Sequence, residues 1–151
     1  MNRAKQLTWL IALCGVAQLA GAGNEKLPWF PLKGDPGVPQ TDLIEVRPEP
    51  TGMGQRVLLD VRVSRSEERS SFKGLRYRSY TAKVAVNCGT SKAWYLWLSY
   101  HTLPLWKGEP IGREEYAEGE APVLFRDVPG EPYKSLIAAA CKSQAAPASA
   151  S

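Results

Sequence analysis

Few side chains in this sequence could carry out catalysis or bind a metal. The 151 residues include one histidine, His101, so a histidine-dependent triad would have to use it. No Gly-x-Ser-x-Gly turn is present to expose a serine nucleophile. One histidine and two cysteines that can pair with each other also give no recognisable zinc ligand set. We therefore expect no catalytic residue, no metal site and no cofactor.

Paired carboxylates are the remaining route to catalysis, because sugar hydrolases use two carboxyl groups at a set separation. Four glutamates cluster before Val123, namely Glu114, Glu115, Glu118 and Glu120. Acidic residues in a glycine-containing loop are more often solvated than catalytic. The cluster is therefore interpreted as a solvated loop.

Basic residues could form a patch that binds anionic lipid or polysaccharide. The candidates are Arg76 and Arg78, together with Lys73, Arg62, Arg65 and Arg69. Glu67 and Glu68 reduce the net positive charge of this patch, and a solvated strand face is the favoured interpretation. The alternative, an envelope-binding surface, stays open.

The first 22 residues have the three parts of a signal peptide. Arg3 and Lys5 precede an apolar core from Leu7 to Leu19, and the small residues 20–22 form a cleavage site. The apolar stretch is too short for a membrane span and continues into polar residues. A lipid anchor at Cys14 is a poor alternative, because Leu13 rather than a small residue precedes it. The sequence predicts cleavage after Ala22 and export to the periplasm or the cell surface.

The mature chain of 129 residues has the size of one domain. It carries 17 basic and 15 acidic residues, a balance that excludes a nucleic-acid partner. Residues 23–42 form a proline-rich lead-in without regular structure, 43–142 the domain, and 143–151 a disordered tail. No transmembrane segment is expected after signal cleavage.

The domain shows mostly strand periodicity. Apolar side chains alternate at Val57, Leu59, Val61 and Val63, and a shorter strand is expected over Leu43–Arg47. A third strand, 76–88, places Tyr80, Ala82, Val84, Val86 and Cys88 on its inner face. Residues 103–121 are broken by proline and glycine into loops, with a short strand expected at 123–125.

The strand over 93–102 has aromatic residues on both faces. Strict alternation places Trp94, Leu96, Leu98 and Tyr100 on one face, and Tyr95, Trp97, Ser99 and His101 on the other. The second face is either covered by Trp29 and Phe30 of the lead-in or forms an interaction surface, which a homodimer could use. Intramolecular cover is favoured, because each ring can bury a large area.

A C-terminal helix is expected from Pro132, with Tyr133, Leu136, Ile137, Ala140 and Cys141 on one face. Cys88 and Cys141 are the pair left after signal cleavage, and two cysteines in an exported domain predict a disulfide. The predicted fold class is α+β: an antiparallel sheet of about four to six strands, a C-terminal helix packed on it, and one disulfide.

Several short motifs follow one another along this domain. A Tyr-Arg-Ser-Tyr strand leads to Val-Ala-Val-Asn-Cys88, an aromatic strand follows, and Pro-Leu-Trp-Lys-Gly-Glu-Pro at 104–110 precedes a closing Leu-Ile-Ala-Ala-Ala-Cys141. With the signal peptide, this pattern over roughly 57–141 resembles the surface-adhesin protein E-like domains of Gram-negative bacteria. The resemblance implies a sheet packed on a helix and, from the family's namesake, binding of host matrix and plasma proteins such as vitronectin, laminin and plasminogen. It assigns no binding residue.

These observations predict an exported, non-catalytic binding module with a host matrix or envelope protein as its partner. The alternatives are a periplasmic structural or accessory protein that contacts the envelope through its basic strand, and a small hydrolase. The candidate interaction residues are Tyr95, Trp97, Trp29, Phe30, Arg76 and Arg78.

Overall fold

The computed structural model of the protein describes residues 27–49 and 54–145. In this part of the chain, six strands form one antiparallel sheet in sequence order. They are β1 Phe30–Lys33, β2 Leu43–Pro48, β3 Arg56–Ser70, β4 Arg76–Asn87, β5 Lys92–His101 and β6 Gly112–Glu115, followed by helix α1, Pro132–Ala145. The predicted α+β architecture is confirmed. The predicted signal peptide and residues 146–151 of the predicted tail lie outside the described residues.

The long central strands follow the alternation of the sequence. In β3 the side chains of Val57, Leu59, Val61 and Val63 are buried on the side of the sheet that α1 covers, here called the core face. The opposite side, here called the outer face, carries Leu58, Asp60 and Arg62 between them. β4 and β5 form an antiparallel hairpin across a tight turn at residues 88–91.

Strand β5 contains a β-bulge that strict alternation does not predict. Lys83 pairs with Trp97 and the next residue, Val84, pairs with Tyr95, so Leu96 has no partner on β4. A bulge inserts one residue and shifts the side-chain alternation by one position. Tyr95 therefore lies on the core face with Leu98 and Tyr100, and the prediction that Tyr95 shares a face with Trp97 is wrong.

The neighbours of Leu96 explain why the bulge lies there. The carbonyl of Leu96 accepts a hydrogen bond from the amide of Tyr116, just after β6, whereas the amide of Tyr95 donates to the carbonyl of Ala121. On the edge of β5 that faces away from β4, the hydrogen-bonding partner therefore changes at this point, from β6 to the segment that begins at Ala121.

Four predicted segments or boundaries differ from the structure. The lead-in was expected to lack regular structure, but Phe30–Lys33 pairs with β2 as an edge strand, a position where proline is tolerated. Gly112–Glu115, expected to be a loop, forms β6. Residues 123–125, expected to form a strand, are irregular, and Pro122 makes an isolated bridge to Trp94. The helix continues to Ala145, beyond the predicted start of the tail.

Two segments cover the core face. Leu136 and Ala140 of α1 are fully buried against the sheet, and Tyr133, Ile137 and Cys141 pack beside them, as the helical spacing predicts. The irregular segment 121–128 adds Ala121, Val123, Phe125 and Val128 to the same core. No helix in the described segments is both long and apolar enough to cross a membrane.

The predicted disulfide is confirmed. Cys88, the residue that follows β4, is bonded to Cys141 in α1, and the two Cα atoms are 5.7 Å apart. The helix is also held by Tyr133, whose hydroxyl donates to the carbonyl of Ser91 at 2.9 Å and accepts from the amide of Ala93 at 3.1 Å. Both contacts attach α1 to the β4–β5 turn.

Candidate functional site

The outer face carries two rows of directly opposed residues that cross five strands from β2 to β6. The first row is Arg47, Asp60, Lys83, Trp97 and Glu115. The second row is Glu45, Arg62, Thr81, Ser99 and Arg113. Side chains directly opposite each other across strands interact, so the register itself pairs opposite charges.

Asp60 is the centre of an ion-pair network on β2 to β4. Its carboxylate lies 2.6 Å from Nη2 of Arg47 and 2.5 Å from Nζ of Lys83, which also pairs with Glu49. Burial opposes the ionisation of Asp60, but hydrogen bonds from Lys83 and Arg47 outweigh this effect and lower its pKa. The charges on this half of the outer face therefore satisfy one another.

Trp29 packs on this charged half of the outer face. The guanidinium of Arg62 lies between the rings of Trp29 and Trp106, with its Cζ 4.2 Å from each ring centroid. Arg47 also lies over Trp29, at 4.4 Å. Trp29 therefore docks on the domain's own surface, as expected for the lead-in, whereas Phe30 beside it is exposed.

We expect Trp29→Ser to lower the free energy of unfolding by about 1–2 kcal/mol, because it removes two cation–π contacts and the cover over Arg62. Urea unfolding followed by far-UV circular dichroism measures the change. Phe30→Ser is the matched control, and its exposed ring predicts a change below about 0.5 kcal/mol. Equal effects of the two substitutions would contradict the docking role of Trp29.

Trp97 lies on the other half of the outer face. Its half-buried ring stacks against Arg113, whose Cζ is 4.3 Å from the ring centroid. Arg113 in turn donates a 2.8 Å hydrogen bond to Glu115. Trp97 therefore packs against β6, a strand that the sequence did not predict. The tryptophan of the lead-in, Trp29, instead contacts arginines of β2 and β3.

The remaining candidate residues lie at the start of β4. Arg76 is exposed and paired with Glu68. Arg78 is half-buried, and its Nε donates to the carbonyl of Arg65 at 3.2 Å. The predicted basic patch is therefore divided: Arg62 stacks between tryptophans, Arg65 is buried, and Arg76 is neutralised at the surface.

A pocket of about 410 Å³ opens at the end of the core face that α1 leaves uncovered. We call it the tyrosine pocket, because the rings of Tyr77, Tyr80, Tyr95 and Tyr100 form its floor. These rings pack edge to face or tilted, with centroids 4.9–6.1 Å apart. The rest of the wall comes from residues 69–72, 122 and 124–127, with Arg65 and Leu98. A volume of this size suits a small ligand.

Arg65 lies in the wall of the tyrosine pocket and is only 4% exposed. Its Nε donates to Asp42 and its Nη1 donates to the carbonyl of Arg126, both at 3.1 Å. Arg65 continues the alternation of Val61 and Val63, which places its side chain on the core face, and a register shift between β3 and β4 follows before Arg69. Burial opposes the ionisation of Asp42, but its hydrogen bonds from Ser66 and Arg65 lower its pKa.

Glu114 lies behind the tyrosine pocket and is 1% exposed, so its interpretation as a solvated loop residue is wrong. Its carboxylate accepts hydrogen bonds from the hydroxyls of Ser71, Tyr100 and Tyr116, at 2.8–3.0 Å. Burial and the Glu114 carboxylate together raise the pKa of Tyr116 to about 12. Burial likewise raises the pKa of Tyr77, Tyr80, Tyr95 and Tyr100.

The other residues considered for catalysis have structural contacts. His101 is buried, and its Nδ1 donates to the carbonyl of Gly108 at 3.1 Å. Glu118 pairs with Arg56 at 2.7 Å, Glu120 accepts from the amide of Ala117 at 2.8 Å, and Glu115 pairs with Arg113. In the described residues, no group of three or more His, Cys, Asp and Glu side chains could hold a metal ion.

Sequence reasoning missed the tyrosine pocket as a site. Arg65 and Arg69 were grouped with a solvated basic face, and Tyr95 and Tyr100 were placed on opposite faces of the strand over 93–102. The signal that was present is the polar run Ser-Arg-Ser-Glu-Glu-Arg-Ser at 64–70, where strand alternation ceases. Loss of alternation inside a long strand indicates a bulge, and bulges commonly occur beside functional sites.

The fold and these surfaces define a small sheet-and-helix domain, held by one disulfide, with an aromatic–cationic outer face and a tyrosine-lined pocket. The family model of surface-adhesin protein E matches residues 40–142, more than half of the chain. The chain therefore belongs to the surface-adhesin protein E family, and the suspected relationship is confirmed. Searches of curated proteins and of solved structures found no match.

Proposed function

We propose that this protein is an exported, non-catalytic binding module that contacts a protein partner through the outer face around Trp97 and Arg113. The observation that carries the proposal is the half-buried Trp97 ring stacked on an arginine at the β5–β6 edge. Tryptophan and arginine are enriched among the residues that dominate binding energy at interfaces. Membership of the surface-adhesin protein E family supports the same class of function.

The charge pattern of the outer face favours this edge over the β2–β4 half. Asp60, Arg47 and Lys83 already form ion pairs within the domain, and Arg62 stacks between two tryptophans. The partner of Arg113 is Glu115, whose side chain is 71% exposed. Exposed pairs contribute little, so Arg113 can exchange Glu115 for an acidic group on a partner at small cost.

Cellular location decides between a host matrix partner and an envelope partner. Intact and permeabilised cells are treated with protease, and the mature domain is followed by immunoblot beside a soluble periplasmic control. Digestion in intact cells supports contact with extracellular proteins. Protection until permeabilisation, together with the control, excludes direct adhesion and favours an accessory role in the periplasm.

We expect Trp97→Ala to weaken partner binding at least about tenfold, a loss of about 1.4 kcal/mol that is modest for an interface tryptophan. The assay measures binding of the mature domain to immobilised vitronectin, laminin and plasminogen. Arg113→Ala should weaken binding in parallel, because it removes the stacked cation. Lys92→Ala, an exposed residue at the other end of β5, is the matched control.

The binding role of this edge is contradicted if Trp97→Ala and Lys92→Ala bind equally well while both retain the parent's thermal unfolding midpoint. The same variants test self-association. Sedimentation that shows a dimer for the parent and a monomer for Trp97→Ala would identify a second copy of this chain as the partner.

A further inference from the structure

The tyrosine pocket contains two arginine nitrogens that have no hydrogen-bond partner. Among the described residues, Nη2 of Arg65 and Nε of Arg69 are buried and make no hydrogen bond. Both arginines line the pocket. A buried donor that is left unpaired costs about 1–3 kcal/mol, and more when it is charged, so native proteins rarely keep one without a reason.

We propose that the tyrosine pocket binds a small organic anion, a carboxylate on an aromatic or apolar body. The carboxylate oxygens accept hydrogen bonds from Nη2 of Arg65 and Nε of Arg69, and the body packs against the tyrosine rings. This site lies on the core side of the sheet, so it is separate from the outer-face edge around Trp97. It goes beyond the proposed function, which does not require a pocket.

The charges around the pocket favour an anion. The charge of Arg65 is balanced by Asp42, and Asp127 is the carboxylate in the wall itself. Arg69 forms no ion pair in the described part of the chain, and Arg126 stacks on Phe72 with its Cζ 5.1 Å from the ring centroid. The wall therefore has an excess of positive charge. Glu114 lies behind Tyr100, and its carboxylate is occupied by three hydroxyl donors.

The rest of the pocket favours an aromatic or apolar body on that anion. The floor consists of four tyrosine rings and Leu98, which gives a largely aromatic surface. At the rim, Phe72 is 76% exposed and Leu124 is 50% exposed. Large exposed apolar side chains beside a pocket mark a surface that gains from being covered. The combination of guanidinium donors with aromatic walls is the usual composition of a small-molecule site.

Binding is tested by calorimetric titration of the mature domain with three probes: benzoate, 3-phenylpropionate and indole-3-acetate. We expect at least one to bind with a Kd below about 10 mM. Acetate, which lacks the apolar body, and 3-phenylpropan-1-ol, which lacks the charge, should each bind at least about tenfold more weakly than the best probe. The Arg69 Nε–H resonance should shift when the best probe is added.

Arg69→Gln should weaken the best probe about tenfold, because it removes both the charge and the Nε donor. Arg76→Gln is the matched control, since Arg76 is exposed, paired with Glu68 and outside the pocket wall. Far-UV circular dichroism verifies that both variants are folded, and Arg69→Lys, which keeps the charge, should bind with intermediate strength. The proposal is overturned if none of the three carboxylates binds, or if Arg69→Gln binds them as the parent does. Water molecules would then be the partners of the two nitrogens.

Discussion

Removal of the Cys88–Cys141 disulfide by the double substitution Cys88→Ser and Cys141→Ser should lower the free energy of unfolding by about 4 kcal/mol. The bond joins residues that are 53 positions apart, so its loss greatly increases the freedom of the unfolded chain. A domain of this size has a total stability of about 5–15 kcal/mol, so much of it depends on this bond. In the double variant, the hydrogen bonds of the Tyr133 hydroxyl to Ser91 and Ala93 still connect α1 to the β4–β5 hairpin.

Guanidinium unfolding of the parent, with and without a reducing agent, and of the double variant measures this loss. The reduced parent and the variant should unfold at the same denaturant concentration, because Cys88 and Cys141 are the only cysteines left after the predicted signal cleavage. A matched control is Ser135→Ala, an exposed position on α1 that leaves the bond intact. A loss below about 1 kcal/mol would show that α1 is held mainly by its apolar face.

The second large effect is expected at alkaline pH. Burial raises the pKa of Tyr80, Tyr95 and Tyr100 above the ordinary value of about 10. Above that pH the unfolded chain loses these protons and the folded chain keeps them, so the folded state binds more protons and stability falls as the pH rises. The stabilisation is complete below pH 10. Each tyrosine with a raised pKa contributes up to about 1.4 kcal/mol per pH unit, so these three give a slope of about 4 kcal/mol per pH unit, to which Tyr77 and Tyr116 add.

Denaturant unfolding between about pH 9 and pH 11, together with tyrosinate absorbance near 295 nm, measures this slope. The absorbance of the buried tyrosines should rise only as the domain unfolds. Tyr77→Phe is the matched variant, because burial also raises the pKa of Tyr77 and its hydroxyl makes no hydrogen bond among the described residues. It should make the slope shallower by at most about 1.4 kcal/mol per pH unit. Ionisation of the tyrosines near pH 10 in a domain that stays folded would contradict the burial of the cluster.

The two surfaces of this domain differ in how they are supported. The outer-face edge around Trp97 consists of residues set by strand register, so single substitutions there should leave the fold intact. The tyrosine pocket is continuous with the core through Tyr80, Tyr95 and Tyr100. A ligand that satisfies its buried arginine nitrogens should therefore also stabilise the domain against unfolding.

The sequence alone determined the features that depend on local pattern. The alternation of Val57, Leu59, Val61 and Val63 predicts a strand with one buried face, because strand side chains alternate strictly. The spacing of Leu136 and Ala140 predicts the buried face of α1, and the pair of cysteines left after the predicted signal cleavage predicts the bond between Cys88 and Cys141. The motifs over 57–141 identify the family. Each of these inferences uses a short-range period or a count, and both can be read directly from the sequence.

Tertiary structure decided the features that depend on a partner elsewhere in the chain. The bulge at Leu96 lies where the hydrogen-bonding partner of β5 changes from β6 to the segment at Ala121. This bulge places Tyr95 in the core, whereas strict alternation would place it on the outer face. Glu114 lies opposite Leu98 on β5, and its buried carboxylate is satisfied by the distant hydroxyls of Ser71 and Tyr100 as well as that of Tyr116. The tyrosine pocket likewise depends on distant parts of the chain, because Arg65 of β3, tyrosines of β4 and β5, and Arg126 meet in its wall. Long-range pairing shifts side chains between faces, and a pattern of neighbours in sequence does not contain that information.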